Sequence, residues 1–280
     1  TATTVSGAPA EAVNSHSPTT DRLSISSADA FQPSSDRTPE GGDLRSAPES
    51  QTVTPSAIGP SPATNTTRAL ELLRVNEVWT DFDTRGENTT IAVLDSGVAT
   101  DAHQSLTLAD DGWEDFVSNR SKPLDDRNHG TVTAGVLVGT ETPDGTRFGV
   151  APNATLLHGK VIDSDGTART TNVLQGVEWA IEHPQQPDVV LINVGHKRVY
   201  YDRYIEAIER AREAGVYVVV PAGNEGDGGI TSPGSVYSAL SVGATNATGA
   251  VEDYSVGNTI STRARWGEQP IYEYDWPESY

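Results

Sequence analysis

Short apolar runs rich in β-branched residues recur along the chain, and each has about the length of a buried strand. The four clearest lie at 90–94, 155–162, 188–194 and 216–221. They show little of the polar alternation that marks a half-exposed strand, so they predict strands buried on both faces of a parallel sheet. A further strand is predicted over 239–244.

Between these runs, apolar residues recur three or four positions apart, which predicts helices that pack against the sheet. The positions are Val173, Val177, Ala180 and Ile181 in one helix, and Tyr201, Tyr204, Ile205 and Ile208 in the next, which Gly215 would end as a C-cap. Upstream, a single helix to about Trp79 is predicted from Leu72, Val75, Val78 and Trp79. The alternation of strand and helix predicts an α/β domain with a mostly parallel sheet.

Residues 1–66 have a different character. They are rich in Ser, Thr, Pro, Ala and Asp, and their apolar residues are isolated. Such a segment buries too little to offset its ordering entropy, so we predict a disordered leader or linker. A folded pro-domain is the competing interpretation, but it would need alternating strands and an amphipathic helix, which the pattern lacks.

The net charge of the chain limits the classes of molecule that it can bind. The chain carries 39 acidic and 19 basic residues, a net charge of −20. This charge repels nucleic acid and anionic membranes, and no apolar run approaches the roughly 20 residues of a membrane span. So acidic a chain is either simply acidic or adapted to high salt, which screens the self-repulsion, and we favour the second interpretation. The absence of cysteine excludes disulfides and thiolate metal sites.

Three polar motifs lie where an α/β sheet places its ligands, beyond the carboxyl ends of strands. Asp95-Ser96-Gly97 follows the first strand, and Ala222-Gly223-Asn224 follows the strand at 216–221. Between them, His129 opens a run over 132–138 that predicts a tightly packed helix. A helix N-terminus is expected to lower the pKa of this histidine. Taken singly, the first motif is more typical of a turn or N-cap aspartate, the second of a surface histidine, and the third of an Asn-Gly turn.

Their order and spacing together are far more specific. His129 follows Asp95 by 34 residues, and Asn224 follows His129 by 95. The subtilisin order is Asp, His, Asn, Ser, with first and second spacings of about 32 and 91 residues. The motifs at 93–98, 129–131, 149–154, 176–181 and 222–224 resemble those of the subtilase family. The resemblance covers residues 70–255 and implies a three-layer subtilisin-like fold.

The resemblance also implies a role for each matching residue. Asp95 and His129 would act with a serine as a catalytic triad, and Asn224 would donate to the oxyanion. The substrate channel would be lined by Asn193, Val194, Gly195 and Gly223. After Val194 the chain reads Gly195-His196-Lys197, which departs from the family's usual Ser-Leu-Gly. The implied partner is a peptide or protein substrate. No cofactor is required, and the family often binds structural calcium. Loops rich in oxygen ligands contain Asp110, Asp111, Asp125 and Asp126, but no spacing identifies a calcium site, and we favour the interpretation of a solvated acidic loop.

The nucleophile is where the resemblance stops. The chain contains no Gly-Thr-Ser motif, and the family spacing would place the serine about 66 residues after Asn224, near position 290. Neither Ser235 nor Ser255 lies on a recognisable strand-to-helix elbow. We therefore expect a serine endopeptidase whose serine lies beyond the chain. The alternative is a truncated pseudoprotease that binds peptide without cleaving it.

The predicted organisation is a leader or linker at 1–66, a peptidase domain at 67–255 and a divergent tail at 256–280. The expected location is extracellular or at the cell surface, in high salt. A nucleotide-binding α/β domain is disfavoured, because neither a Gly-x-Gly-x-x-Gly motif nor a P-loop follows the first strand.

Overall fold

The computed structural model describes residues 65–197, 201–224, 226 and 231–256, together with three short strands outside these ranges. Most of the predicted leader and tail therefore lies outside the described residues. The strands are β1 (Arg22–Ser24), β2 (Thr90–Asp95), β3 (Trp113–Asp115), β4 (Thr155–Lys160), β5 (Thr167–Arg169), β6 (Val189–Ile192), β7 (His196–Lys197), β8 (Tyr217–Pro221), β9 (Thr231–Ser232), β10 (Leu240–Val242), β11 (Arg265–Trp266) and β12 (Gln269–Pro270).

Six of these strands form the central sheet, in the order β10-β8-β6-β2-β4-β3. Every neighbouring pair in it is parallel. The pairs β1-β5, β7-β9 and β11-β12 form separate antiparallel ribbons. The predicted mostly parallel α/β sheet is confirmed, and β2 lies near its middle with all six residues buried.

The helices are α1 (Arg68–Leu72), α2 (Val75–Asp81), α3 (His129–Val138), α4 (Thr170–Glu182) and α5 (Arg203–Glu213). They cover both faces of the sheet because successive side chains of a strand point in opposite directions. Ala92 and Leu94 of β2 belong to the core cluster that contains α4 and α5. Ile91 and Val93 belong to the cluster that contains Ala134 and Val138 of α3. The result is a helix-sheet-helix sandwich of three layers.

The structure corrects the first predicted helix. Arg74 adopts a left-handed conformation with φ of 56°, which divides the segment into α1 and α2. Because the chain changes direction at Arg74, the predicted apolar positions do not lie on one continuous helical face. Leu72 and Val78 are 49% and 47% exposed, and the buried positions are Leu70, Val75 and Trp79.

Other boundaries moved by one to three residues. The strands predicted at 155–162 and 188–194 end earlier, at Lys160 and Ile192, and α3 begins at His129 instead of residue 132. The predicted end of α5 is confirmed. Gly215 has φ of 86°, and the amides of Gly215 and Val216 bond back to the carbonyls of Arg212 and Ala211, which closes the helix as a Schellman motif.

His158 is a buried titratable group in the middle of this fold. It lies on β4, is fully buried, and stacks on Trp113 with 6.2 Å between ring centroids. Burial lowers its pKa from 6.5 to about 4, against the pull of Asp95 and Asp125. The imidazole is therefore neutral in the folded chain at pH values where the unfolded chain already binds a proton.

We predict that stability falls as pH falls from 6.5 to about 4, because only the unfolded state takes up this proton. The contribution of His158 across this window is about 3 kcal/mol. Urea unfolding at a series of pH values should show a shallower decline for His158→Leu than for the wild type. The exposed His103, replaced by Leu, is the matched control and should leave the slope unchanged. Equal slopes for His158→Leu and the wild type would contradict the prediction.

Candidate active site

Asp95 is the last residue of β2, and its side chain is fully buried. Its Oδ1 accepts hydrogen bonds from the Ser96 amide and from Nδ1 of His129, the latter at 2.7 Å. Its Oδ2 accepts from Nδ2 of Asn193 at 2.9 Å and from Oγ1 of Thr133 at 3.2 Å. The carboxylate thus lies at the edge of the sheet with both oxygens occupied.

His129 reaches Asp95 because α3 begins at the carboxyl end of β2. Asn128, just before the helix, is left-handed with φ of 61°. The close approach requires glycine at two positions. A Cβ on Gly130 would lie 2.2 Å from the carbonyl oxygen of Gly97, and one on Gly97 would lie 1.9 Å from that of Leu124. The predicted contact between the Asp95 and His129 motifs is therefore present, at hydrogen-bond distance.

The electrostatics of His129 differ from the expectation for a helix N-terminus. The hydrogen bond with Asp95 raises the pKa of His129 above 6.5, and this outweighs the effect of burial. The prediction of a lowered pKa was wrong, because a contacting buried carboxylate acts more strongly than the helix end. With Nδ1 carrying its proton toward Asp95, Nε2 of the neutral ring is the basic nitrogen. The side chain is 29% exposed, so solvent reaches part of the ring.

A second buried carboxylate, Asp125, fixes the loop beneath α3. Its Oδ1 accepts from Oγ of Ser96 at 2.8 Å and from the Arg127 amide at 3.0 Å. Its Oδ2 accepts from the amide and the hydroxyl of Thr131, at 2.8 and 2.6 Å. Burial alone would raise the pKa of Asp125, but these donors lower it. Ser96 Oγ also accepts from the Gly130 amide, so the network joins β2 to the start of α3.

Lys160 adds a buried cation at the same edge. It ends β4 opposite Asp95 in register and is 1% exposed. Its ammonium group donates to the carbonyls of Ser96 and Ile162 and lies 3.2 Å from Oδ2 of Asp126. Asp125 and Asp126, considered above as calcium ligands, are therefore engaged with protein donors. Within the described ranges, no three His, Asp or Glu side chains form a group that could hold a metal ion.

The residues expected to line a substrate channel occupy different environments. Asn193 turns its side chain to Asp95, and Val194 is 1% exposed within the main core. Gly195 is half-buried, and a Cβ there would lie 2.7 Å from Cγ2 of Thr231. Gly223 has φ of 118°, and Asn224 beside it is exposed beyond the end of β8. The role of these residues as a substrate wall stays a prediction.

The roles of four side chains near Asp95 were not predicted from the sequence. These are the side chains of Ser96, Thr133, Lys160 and Asn193. Thr133 had the clearest signal, because it follows His129 by four residues and residues four apart share a helical face.

The two serines considered as nucleophiles have other contacts. Ser255 Oγ accepts from the Ala244 amide at 2.9 Å, and Ser235 Oγ accepts from the Thr231 amide at 3.4 Å.

We predict that Asp125→Ala destabilises the fold by about 3 kcal/mol, since it leaves the buried donors of Ser96 and Thr131 without their acceptor. Chemical denaturation is the measurement. The exposed Asp101, replaced by Ala, is the matched control and should change stability by less than about 0.5 kcal/mol. If the two variants unfold alike, Asp125 does not hold this loop.

Within the described part of the chain, every helix falls short of the length and apolar character needed to cross a bilayer.

Comparisons with known proteins agree with the geometry. The model of the subtilase family, Peptidase_S8, matches residues 86–268. "Serine protease AprX" of Bacillus subtilis (strain 168) is 31% identical over 214 residues, 71% of this chain and 47% of that protein. "Minor extracellular protease Epr" of the same strain is 32% identical over 190 residues, 66% of this chain and 28% of that protein. "Intracellular serine protease" of Paenibacillus polymyxa is 32% identical over 200 residues, which are 68% of this chain and 59% of that protein. The chain thus spans between 28% and 59% of the length of these relatives. From the family match and these identities, the chain belongs to the subtilase family.

Proposed function

We propose that this chain is part of a serine endopeptidase of subtilisin type, which hydrolyses peptide bonds through an Asp-His-Ser triad. The observation that carries the proposal is the 2.7 Å contact between Nδ1 of His129 and Oδ1 of Asp95 at the edge of a parallel sheet. A buried carboxylate in this position fixes the tautomer of the imidazole and stabilises the imidazolium that forms during catalysis.

In this mechanism His129 takes the proton from a serine hydroxyl as that oxygen attacks the substrate carbonyl. It then gives the proton to the leaving amine. Asn224 would donate to the oxyanion of the tetrahedral intermediate. It follows β8, which is separated from β2 by β6 alone, so the two strand ends lie roughly 10 Å apart. That span suits a substrate carbonyl held between the two residues.

The nucleophile would come from outside the 280 residues, because they contain no Gly-Thr-Ser motif. The substrate is a peptide or protein. Its backbone would pair with the Val194-Gly195 segment, and Gly223 would allow it to approach closely. Since the side chains of Asn193 and Val194 are engaged elsewhere, this wall would act through its main chain and leave specificity to other residues. No cofactor is needed in this chemistry, and bound calcium would be structural.

We predict that the reading frame after Tyr280 encodes a Gly-Thr-Ser-like motif within about 30 codons. The product extended through it should react with a fluorophosphonate probe and cleave casein. Asp95→Asn should lower kcat by about 10⁴-fold, and His129→Ala by about 10⁶-fold. The exposed Asp101 and His103, replaced in the same way, are the matched controls.

A stop codon directly after Tyr280 would contradict the endopeptidase proposal for this chain. Peptide binding without labelling or turnover would instead support the pseudoprotease alternative.

We further propose that the protein works outside the cell or at its surface, in high salt. The net charge of −20 supports the high-salt part of this proposal, because high salt screens repulsion among the carboxylates. The melting temperature should rise steeply with NaCl, and the fold should be lost below about 0.5 M. An uncharged osmolyte at equal osmolality is the control and should not substitute for salt. Equal melting temperatures in low and high salt would contradict the salt proposal.

A further inference from the structure

Thr133 lies on α3 one helical turn after His129 and is half-buried. Its hydroxyl is 3.2 Å from Oδ2 of Asp95 and 3.0 Å from the carbonyl oxygen of His129. The helix therefore contacts the carboxylate twice, through residues that share one face. Two contacts one turn apart restrict both the position of the helix along its axis and its rotation.

Asn193 links Thr133 to the opposite side of the carboxylate. It follows β6, and its amide N–H donates to the carbonyl of Leu94 at 3.1 Å, which fixes its backbone beside β2. Its side-chain Nδ2 lies 2.9 Å from Oδ2 of Asp95 and 2.9 Å from Oγ1 of Thr133. One proton of this nitrogen serves each acceptor. The Thr133 oxygen accepts from Asn193, which leaves its own proton to be donated either to Asp95 or to the carbonyl oxygen of His129.

We propose that Thr133 is a positioning residue for the Asp95–His129 pair, holding Oδ2 of Asp95 together with Asn193 so that Oδ1 stays directed at Nδ1 of His129. A carboxylate rotates about its bond to Cβ unless both oxygens are held. The Oδ1 side is held by Ser96 and His129, and the Oδ2 side by Thr133 and Asn193. The catalytic meaning of this inference rests on the proposed function, but its test does not require turnover.

A simpler role for Thr133 predicts something different. Threonine hydroxyls inside helices commonly bond to the carbonyl four residues back, which here is that of His129. If that were all, replacing the hydroxyl would leave the imidazole of His129 unchanged. If the hydroxyl instead donates to Asp95, its removal leaves a buried carboxylate with one donor fewer. Oδ2 is then held by Asn193 alone, the carboxylate can turn away from His129, and the hydrogen bond that raises the pKa of His129 weakens.

The experiment is an NMR titration of the His129 imidazole in the full 280-residue chain, with the resonance assigned by its loss in His129→Gln. Thr133→Val removes the hydroxyl at nearly constant shape, and Thr133→Ala does so without adding a methyl group. We expect the pKa of His129 to fall by about 0.5 to 1 in both variants, because Oδ1 of Asp95 is less firmly held toward Nδ1. Thr133→Ser restores the hydroxyl and should return the pKa to within about 0.2 of the wild type.

Thr171→Val is the matched control, because Thr171 is an exposed threonine on α4 and its loss should leave the His129 titration unchanged. An unchanged or raised pKa in Thr133→Val and Thr133→Ala would overturn the proposal, as would failure of Thr133→Ser to restore it. Because the titration follows the imidazole itself, a chain that never cleaves peptide can still confirm the positioning role. Loss of the proposed function would instead appear in the labelling and cleavage assays.

Discussion

A fully buried carboxylate is costly unless several donors surround it, and Asp95 meets this requirement with donors from three separate parts of the chain. Ser96 continues β2, His129 and Thr133 come from α3, and Asn193 follows β6. None of these segments can shift without leaving the charge under-satisfied. The same constraint that sets the packing of α3 on the sheet therefore also sets the geometry of the candidate active site.

A second layer of buried charge maintains that packing. Asp125 accepts from the Arg127 amide in the loop and from the amide and hydroxyl of Thr131 in the first turn of α3. Its fourth donor is the hydroxyl of Ser96, which follows β2 and also accepts from the Gly130 amide. Gly97 and Gly130 then allow backbone contacts that a Cβ would prevent. The position of α3 at this edge of the sheet is thus determined by hydrogen bonds to the carboxylates of Asp95 and Asp125 and by the close backbone approach that the two glycines allow. Apolar burial, by contrast, is concentrated in the clusters on either face of the sheet.

The sequence predicted the parts of the molecule that depend on local pattern. The apolar runs identified five of the six strands of the central sheet and missed the short β3. The resemblance carried by the order and spacing of the motifs implied the contact between Asp95 and His129. The prediction of a single helix up to Trp79 was wrong, because nothing in the periodicity of the segment indicates the left-handed Arg74. The contact of the Asn193 side chain with Asp95 was not predicted, because its side-chain direction depends on packing between strands, which no local pattern encodes. The predicted direction of the His129 pKa shift was wrong for a related reason, since the shift is set by a contact with Asp95, 34 residues away in the sequence.

Two histidines near these carboxylates show how contact and burial compete. Asp95 and Asp125 act on both residues and favour the protonated form of each. At His129 the direct hydrogen bond to Asp95 prevails, and the pKa rises. At His158, which pairs in register with Val93 two residues before Asp95, the same charges act without a hydrogen bond to either carboxylate, and complete burial lowers the pKa to about 4. Proximity to a carboxylate is therefore not enough to make a base of this kind. The imidazole must also touch the carboxylate and keep part of its ring in solvent, and the chain achieves this at His129 by starting a helix at the end of the strand that carries Asp95.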